Sequence, residues 1–219
     1  MDVSPLWITC KVAFMSTMVT TLLAVPTAYR ITGMKMGRHV LDVLLSLPLV
    51  LPPTVVGFFL LVAFGYNSWL GRLCEVLKFD MVFTVRGAVL AATVVSFPIT
   101  YRTARAAFDQ IDPDLVDAAR LIGYDGLKLF LKVSVPLAFH ELATGVILAF
   151  ARAIGEFGAT IMIAGNVPGR TRTMSVAVYT AMQGGNRALA YAWTAIILCL
   201  SFIVLLLLDF FASGQYGRD

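Results

Sequence analysis

Apolar residues run along this chain in blocks long enough to cross a bilayer, with short polar stretches between them. A hydrocarbon core about 30 Å thick needs about 20 apolar residues of helix. Five segments meet that length, at positions 7–29, 40–65, 82–101, 137–164 and 188–211. Many of their residues are Val and Ile, yet no alternation of apolar and polar positions runs through them. A transmembrane barrel would show alternating segments of about ten residues instead. The pattern therefore predicts an all-α integral membrane protein with about five transmembrane helices. The first segment is read as an uncleaved helix, because a signal peptide opens on basic residues and this chain opens on Asp2, with Lys11 inside the apolar run.

Composition agrees. Of the 219 residues 59% are apolar and 14% charged, against about 25% charged in soluble domains. A soluble enzyme and a nucleic-acid-binding domain are excluded as first readings. The three cysteines, Cys10, Cys74 and Cys199, show no metal-ligand spacing and read as free thiols. The net charge of +4 is unevenly spread. Arg30, Lys35, Arg38, Arg102, Arg105, Arg120, Lys128, Lys132 and Arg218 fall in the first loop, the third loop and the tail. Arg72, Lys78, Arg86, Arg170, Arg172 and Arg187 fall on the other side. Basic residues concentrate on cytoplasmic loops, so the N-terminus is expected outside and the C-terminus in the cytoplasm.

Two features interrupt the spans. Pro48, Pro52 and Pro53 stand in the middle of the second. Each removes a backbone donor and clashes with the preceding turn. Either a packing kink or a broken helix bordering a pathway would follow. In the fourth, Glu141, Arg152 and Glu156 fall near one helical face with Gly145 and Ala159 beside them. Charge at membrane depth is costly and turns toward the protein interior. Arg152 and Glu156, four apart, can pair with each other or with another helix.

The third loop has structure of its own. Asp112, Pro113 and Asp114 make a strong helix start, Leu115, Ala118, Ala119 and Ile122 recur at helical spacing, and Gly123 stands where a left-handed cap is wanted. A second short helix follows Asp125, and Pro136 then separates it from the fourth span. A solvated helical hairpin and a docking element for another subunit both fit. A DNA-reading motif is poorly placed between two spans. No phosphate-binding Gly-rich loop with Lys occurs, and neither His39 nor His140 sits in a metal or nucleophile motif.

The run Asp117, Ala118, Ala119 and Gly123, followed by Val133, Ser134, Val135 and Pro136, resembles the "EAA" loop of binding-protein-dependent ABC-importer permeases, with Asp in place of the usual Glu. The stretches 47–57, 150–160 and 165–173 are similar to molybdate permeases within that superfamily. Sulfate and thiosulfate relatives tend to carry Tyr-Gly-Ser where this chain has Phe157, Gly158 and Ala159, and tungstate-specific relatives vary the Arg and the Gly-Glu.

The resemblance implies a single type I permease domain over 1–219, with a coupling loop at about 109–136. Asp114, Asp117, Ala118, Ala119, Gly123 and Pro136 would couple it to an ATPase. Pro52, Pro53, Arg152, Gly155, Glu156, Gly158 and Thr160 would border the pathway or gate. Arg170, Thr171, Arg172 and Thr173 would line the outer mouth or dock a binding protein. The implied partners are a second copy of the chain, two cytoplasmic ATPase subunits, an extracytoplasmic molybdate-binding protein and the lipid bilayer, with no nucleic acid. No cofactor is expected on this chain. A sulfate, thiosulfate or tungstate permease and an ion-coupled secondary transporter are the competing readings.

Overall fold

The computed structural model describes residues 2–34 and 36–213, so Lys35 and Arg218, counted in the charge balance above, lie outside the described residues. Every regular element among the described residues is a helix. The long α1 (Ser4–Thr32) and α5 (Val85–Asp109) lie against each other at the centre, and α9 (Phe139–Ile154) packs on both. Small residues make this possible. Ala13, Ala24 and Ala28 of α1, Ala88, Ala91 and Ala104 of α5, and Ala149 of α9 are all fully buried. Without a hydrophobic drive between helices in lipid, close backbone approach and hydroxyl bonding carry the association. The Thr20 and Ser96 hydroxyls meet at 3.1 Å across α1 and α5, and Thr100 donates to the Gly145 carbonyl of α9 at 3.4 Å.

These buried Ala, Ser and Thr positions explain a difference from the apolar pattern. By length and apolarity alone, α1 and α12 (Arg187–Ser213) can each cross a membrane, whereas α5 is less apolar. It sits inside the bundle, so its neighbours are helices and not acyl chains. It also begins at Val85 and continues to Asp109. Arg102 and Arg105, expected in the third loop, therefore stand on the last turns of α5.

Both remaining spans are interrupted. The second divides into α2 (Arg38–Val50) and α3 (Pro53–Phe64), which meet at a bend of 108°. Leu51 and Pro52 are extended at the break, with ψ of 139° and 134°. Of the two outcomes open for the prolines, the broken helix is the one found. The fourth span is not continuous either. After α9 the chain leaves the helix at Gly155, and α10 (Gly158–Ala164) restarts it. The expected single helix over 137–164 is thus corrected to two, and Glu156 and Ala159 do not share one helical face with Glu141. At its other end, Pro136 lies inside a short α8 (Val135–Leu137), and the 80° turn into α9 falls at Ala138.

α3 and α10 pack against each other and against α5. The contact is backbone to backbone at Gly57, where an added Cβ would stand 2.7 Å from Ala159 Cα and 2.8 Å from Met162 Cβ. Beyond α3, a short α4 (Trp69–Val76) leads back to α5, and after α10 the helix α11 (Met174–Gln183) packs on α12. The Met174 N–H donates to Thr9 Oγ1 at 2.8 Å, which ties the start of α11 to α1.

The opposite end of the bundle carries the third loop. α6 (Pro113–Leu121) is capped by the Asp112 carboxylate, which accepts from the Asp114 N–H at 2.9 Å. α7 (Gly126–Leu129) follows and runs into α8 through a wide turn at Phe130–Ser134. Phe130 packs at a tilt on Tyr29 of α1, 4.7 Å between ring centroids, and Tyr29 meets Phe108 of α5 edge-on at 5.4 Å.

Overpacking a closed core costs about 1–3 kcal/mol, and at Gly57 the obstacle is backbone, which cannot turn aside. Gly57→Val is expected to lower the thermal unfolding midpoint of the detergent-solubilised protein by several degrees. A midpoint equal to the wild type would contradict the α3–α10 contact.

Candidate functional site: two broken spans and a capped loop

Proline and glycine create the site. At Leu51 and Pro52, and again at Gly155 to Phe157, backbone groups leave the helical ladder. Such groups persist at membrane depth only when they are buried in protein or border a polar cavity. The two breaks meet. An added Cβ at Gly158 would stand 3.1 Å from Pro53 Cβ and from the Thr54 backbone nitrogen. Pro52 and Gly155 remain exposed beside this junction, and Pro53 is half-buried.

Glu156 stabilises the second break in two ways. Its Oε1 accepts from the Ala159 N–H at 2.8 Å, supplying a cap to the first turn of α10. Its Oε2 lies 2.8 Å from Arg152 Nη1, one turn back on α9. Glu156 is 2% exposed, while the Arg152 side chain is 31% exposed. The carboxylate is thus the internal partner, and the guanidinium sits between it and the surface of the chain. Thr160, expected on the pathway, is instead buried, with its hydroxyl making no hydrogen bond among the described residues. It follows Ala159 into the α3–α10 packing and does not face open space.

The expected outer-mouth group also separates. Arg170 is exposed. Arg172 Nε donates to Asn166 Oδ1 at 2.7 Å, and Asn166 Nδ2 donates to Thr180 Oγ1 at 2.9 Å. Thr171 and Thr173 are buried, so they do not line the mouth. The Thr171 hydroxyl accepts from the Val167 N–H at 3.1 Å and closes the loop on itself.

In the third loop, the Gly123 φ of +87° allows the helix to end in a left-handed turn. The Tyr124 N–H reaches the Ala119 carbonyl at 3.0 Å, and the Gly123 N–H reaches Arg120 at 3.0 Å. Asp117 pairs with Arg120 on the exposed face at 2.9 Å. Of the two alanines expected together, Ala119 is buried against its own chain and Ala118 is exposed. Leu115, Leu121, Ile122 and Leu127 stand exposed around the turn. Exposed apolar side chains grouped at the tip of a polar loop are suited to contact with a partner.

A polar cluster that the sequence reading missed joins α2 to α5 at the same end of the bundle. Arg105 Nη1 lies 2.5 Å from Asp109 Oδ1 and donates to Thr32 Oγ1 at 2.7 Å, and its Nε is 3.6 Å from Asp42 Oδ1. Arg38 Nη2 pairs with Asp109 Oδ2 at 2.9 Å, and the Tyr101 hydroxyl donates to Asp42. The spacing was visible. Positions 101, 105 and 109, and positions 38 and 42, are each four apart and share helical faces.

A bundle of apolar helices with two broken spans and a capped loop is an architecture suited to a membrane permease. Residues 14–215 match the family of binding-protein-dependent transport system inner membrane components, and the chain belongs to that family. It is the membrane component of a transport system and not an enzyme. The putative molybdenum transport system permease protein YvgM of Bacillus subtilis is 48% identical over 77% of this chain and 75% of its own length. The molybdenum transport system permease protein ModB of Escherichia coli K12 is 43% identical over 83% of this chain and 78% of its own. Among solved structures, an inward-facing form of the MetNI methionine ABC transporter shares the fold. It has a TM-score of 0.71 at 15% identity, over 97% of this chain and 94% of that one.

Removing one partner of a buried pair leaves an uncompensated charge and here also uncaps α10. Glu156→Ala is expected to cost about 2–3 kcal/mol. The double variant Arg152→Met, Glu156→Leu is expected to recover part of that loss in thermal unfolding. Equal stability of Glu156→Ala and wild type would contradict the assigned pair and cap.

Proposed function

We propose that this chain forms, as a homodimer, the translocation pathway of an importer for molybdate. A separate cytoplasmic ATPase would drive it, and an extracytoplasmic binding protein would deliver the oxyanion. The observation that carries the cargo is the likeness to permeases named for molybdenum transport over three quarters or more of the chain, at 43–48% identity. The Phe157, Gly158 and Ala159 version of the fourth-span sequence supports the same cargo. The whole of 1–219 would act as one permease domain, with the coupling loop at about 109–136. The N-terminus would lie outside and the C-terminus in the cytoplasm, following the basic residues of the first and third loops.

In this reading the loop docks on the ATPase. Asp114 and Asp117 hold the start and the exposed face of α6, Ala118 permits close approach, and Ala119 keeps α6 on its own chain. Gly123 and Pro136 shape the turns that follow. Pro52, Pro53, Gly155 and Gly158 form the gate, because two interrupted backbones can shift against each other where continuous helices cannot. Arg152, balanced by Glu156, gives a dianion a cation to pass without a deep resting site. Arg170 is suited to receiving the binding protein, with Thr171 and Thr173 fixing the loop that presents it.

The test is uptake of labelled molybdate by proteoliposomes holding the chain with its ATPase and binding protein. ATP-dependent uptake that excess sulfate leaves unchanged is expected. Uptake abolished by sulfate would move the cargo to sulfate, and uptake without ATP would contradict the importer. Gly123→Val puts a β-branched residue at φ +87° with nothing else within 4 Å, so its strain falls on the turn alone. This variant is expected to insert and assemble while uptake per ATP hydrolysed falls roughly tenfold. Unchanged uptake per ATP would contradict the coupling role.

A further inference from the structure

α2 carries the first half of the broken span, yet none of its residues is fully buried. Leu41 and Leu45 pack partly against the α1–α5 core, and the rest of its apolar side chains face outward. Its directional ties to the bundle are polar. Asp42 takes the Tyr101 hydroxyl and stands 3.6 Å from Arg105, and Arg38 reaches Asp109 at 2.9 Å. Arg105, 7% exposed, touches three helices at once through Thr32, Asp42 and Asp109.

The cluster occupies a particular place in the chain. Asp109 is the last residue of α5, and Asp112, three residues on, caps α6. From Asp42, α2 rises eight residues, about 12 Å of helix, to the break at Leu51 and Pro52. On the other side, Phe130 holds the loop to Tyr29 and Phe108, so the loop and the ends of α1 and α5 form one packed body. α6 is joined to the cluster along the chain from Asp109 to Asp112, and α2 meets α5 both through this cluster and through Leu41 and Leu45.

Charge suits the task better than apolar contact would. Two arginines and two carboxylates balance, so each charge in the group has a counterpart within it. Ion pairs also have discrete arrangements, where an apolar face slides. The Arg105 Nη2 atom is buried and makes no hydrogen bond among the described residues, leaving a donor for a second arrangement. A cavity of about 480 Å³ opens beside the cluster, lined in part by Ser46, Arg102 and Arg105, and gives the side chains room to exchange partners.

We infer that the Arg38, Asp42, Arg105 and Asp109 cluster is the mechanical link by which the α6 loop moves the broken span, with Asp42 and Arg105 as positioning residues. This rests on the reading of α6 as the ATPase-docking helix. The variant Asp42→Asn keeps an acceptor for Tyr101 and removes the charge that Arg105 and Arg38 hold, and Asp42→Glu restores the charge.

Both are compared with wild type and Gly123→Val in the full complex in proteoliposomes. Three quantities are read: copurification of the ATPase, ATP hydrolysis stimulated by loaded binding protein, and uptake of labelled molybdate. Asp42→Asn is expected to assemble and hydrolyse ATP as wild type while uptake per ATP falls roughly tenfold, with Asp42→Glu recovering most of it. Wild-type uptake per ATP in Asp42→Asn would overturn the link. Loss of assembly, or hydrolysis and uptake falling in proportion, would overturn it too, by assigning the cluster to stability. If Gly123→Val alone uncouples, only the link fails. If neither variant uncouples, the docking role of α6 fails with it.

Discussion

Backbone N–H and C=O groups freed inside a bilayer have no water to turn to, and the architecture of this chain follows from how two such interruptions are satisfied. Pro52 and Pro53 end α2, and Gly155 to Phe157 end α9. The two breaks lie against each other, closed at Gly57 by a contact that leaves no room for a Cβ and at Gly158 by one that leaves little. The freed start of α10 takes the Glu156 carboxylate as its cap, and Arg152 supplies the countercharge. The central α1–α5 pair, packed through alanine and joined by hydroxyls, provides the rigid wall against which the interrupted spans can stand.

Much of this was legible in the residues because it has a local cause. Twenty or so apolar residues in a row read as a span whatever surrounds them, and Pro48, Pro52 and Pro53 mark a kink or a break through the ring and the missing donor; the break falls at Pro52, while Pro48 stays inside α2. The loop helix was equally plain, since Asp112, Pro113 and Gly123 act on their own backbone, and α6 starts and stops where they direct. The second break was not seen. Gly155 to Gly158 contain no proline, and Arg152 with Glu156 four residues later suits a continuous helix as well as an interrupted one. Only the packing of α10 on α3 decides between them.

The end of α5 was misjudged for a related reason. Arg102 and Arg105 looked like the start of a loop, because charge ordinarily marks the edge of a span. Arg105 is buried all the same, since Asp42 and Asp109 arrive from two sides to meet it. A partner 63 residues away in sequence cannot be read from periodicity. The buried Thr171 and Thr173 are a similar case, since a hydroxyl serves a solvent-facing mouth or a closed loop equally well until the fold is known.

What the molecule then amounts to is a fixed pair of helices, a broken pair beside it, and a capped loop held to the pair by Phe130, with the first broken span tied to α5 through Arg38, Asp42, Arg105 and Asp109. The central claim, that the two breaks border a water-filled path, is tested most directly by thiol labelling in native membranes. Cys10, Cys74 and Cys199 would first be replaced, and a cysteine introduced as Gly155→Cys, where an added Cβ meets nothing closer than 4.0 Å. A matched Leu198→Cys on the outward face of α12, where Leu198 is 64% exposed, serves as the lipid-side reference. A membrane-impermeant, water-soluble thiol reagent is predicted to modify the Gly155 position during transport and to leave the Leu198 position unmodified. Inertness at both positions, or equal reaction at both, would contradict the account.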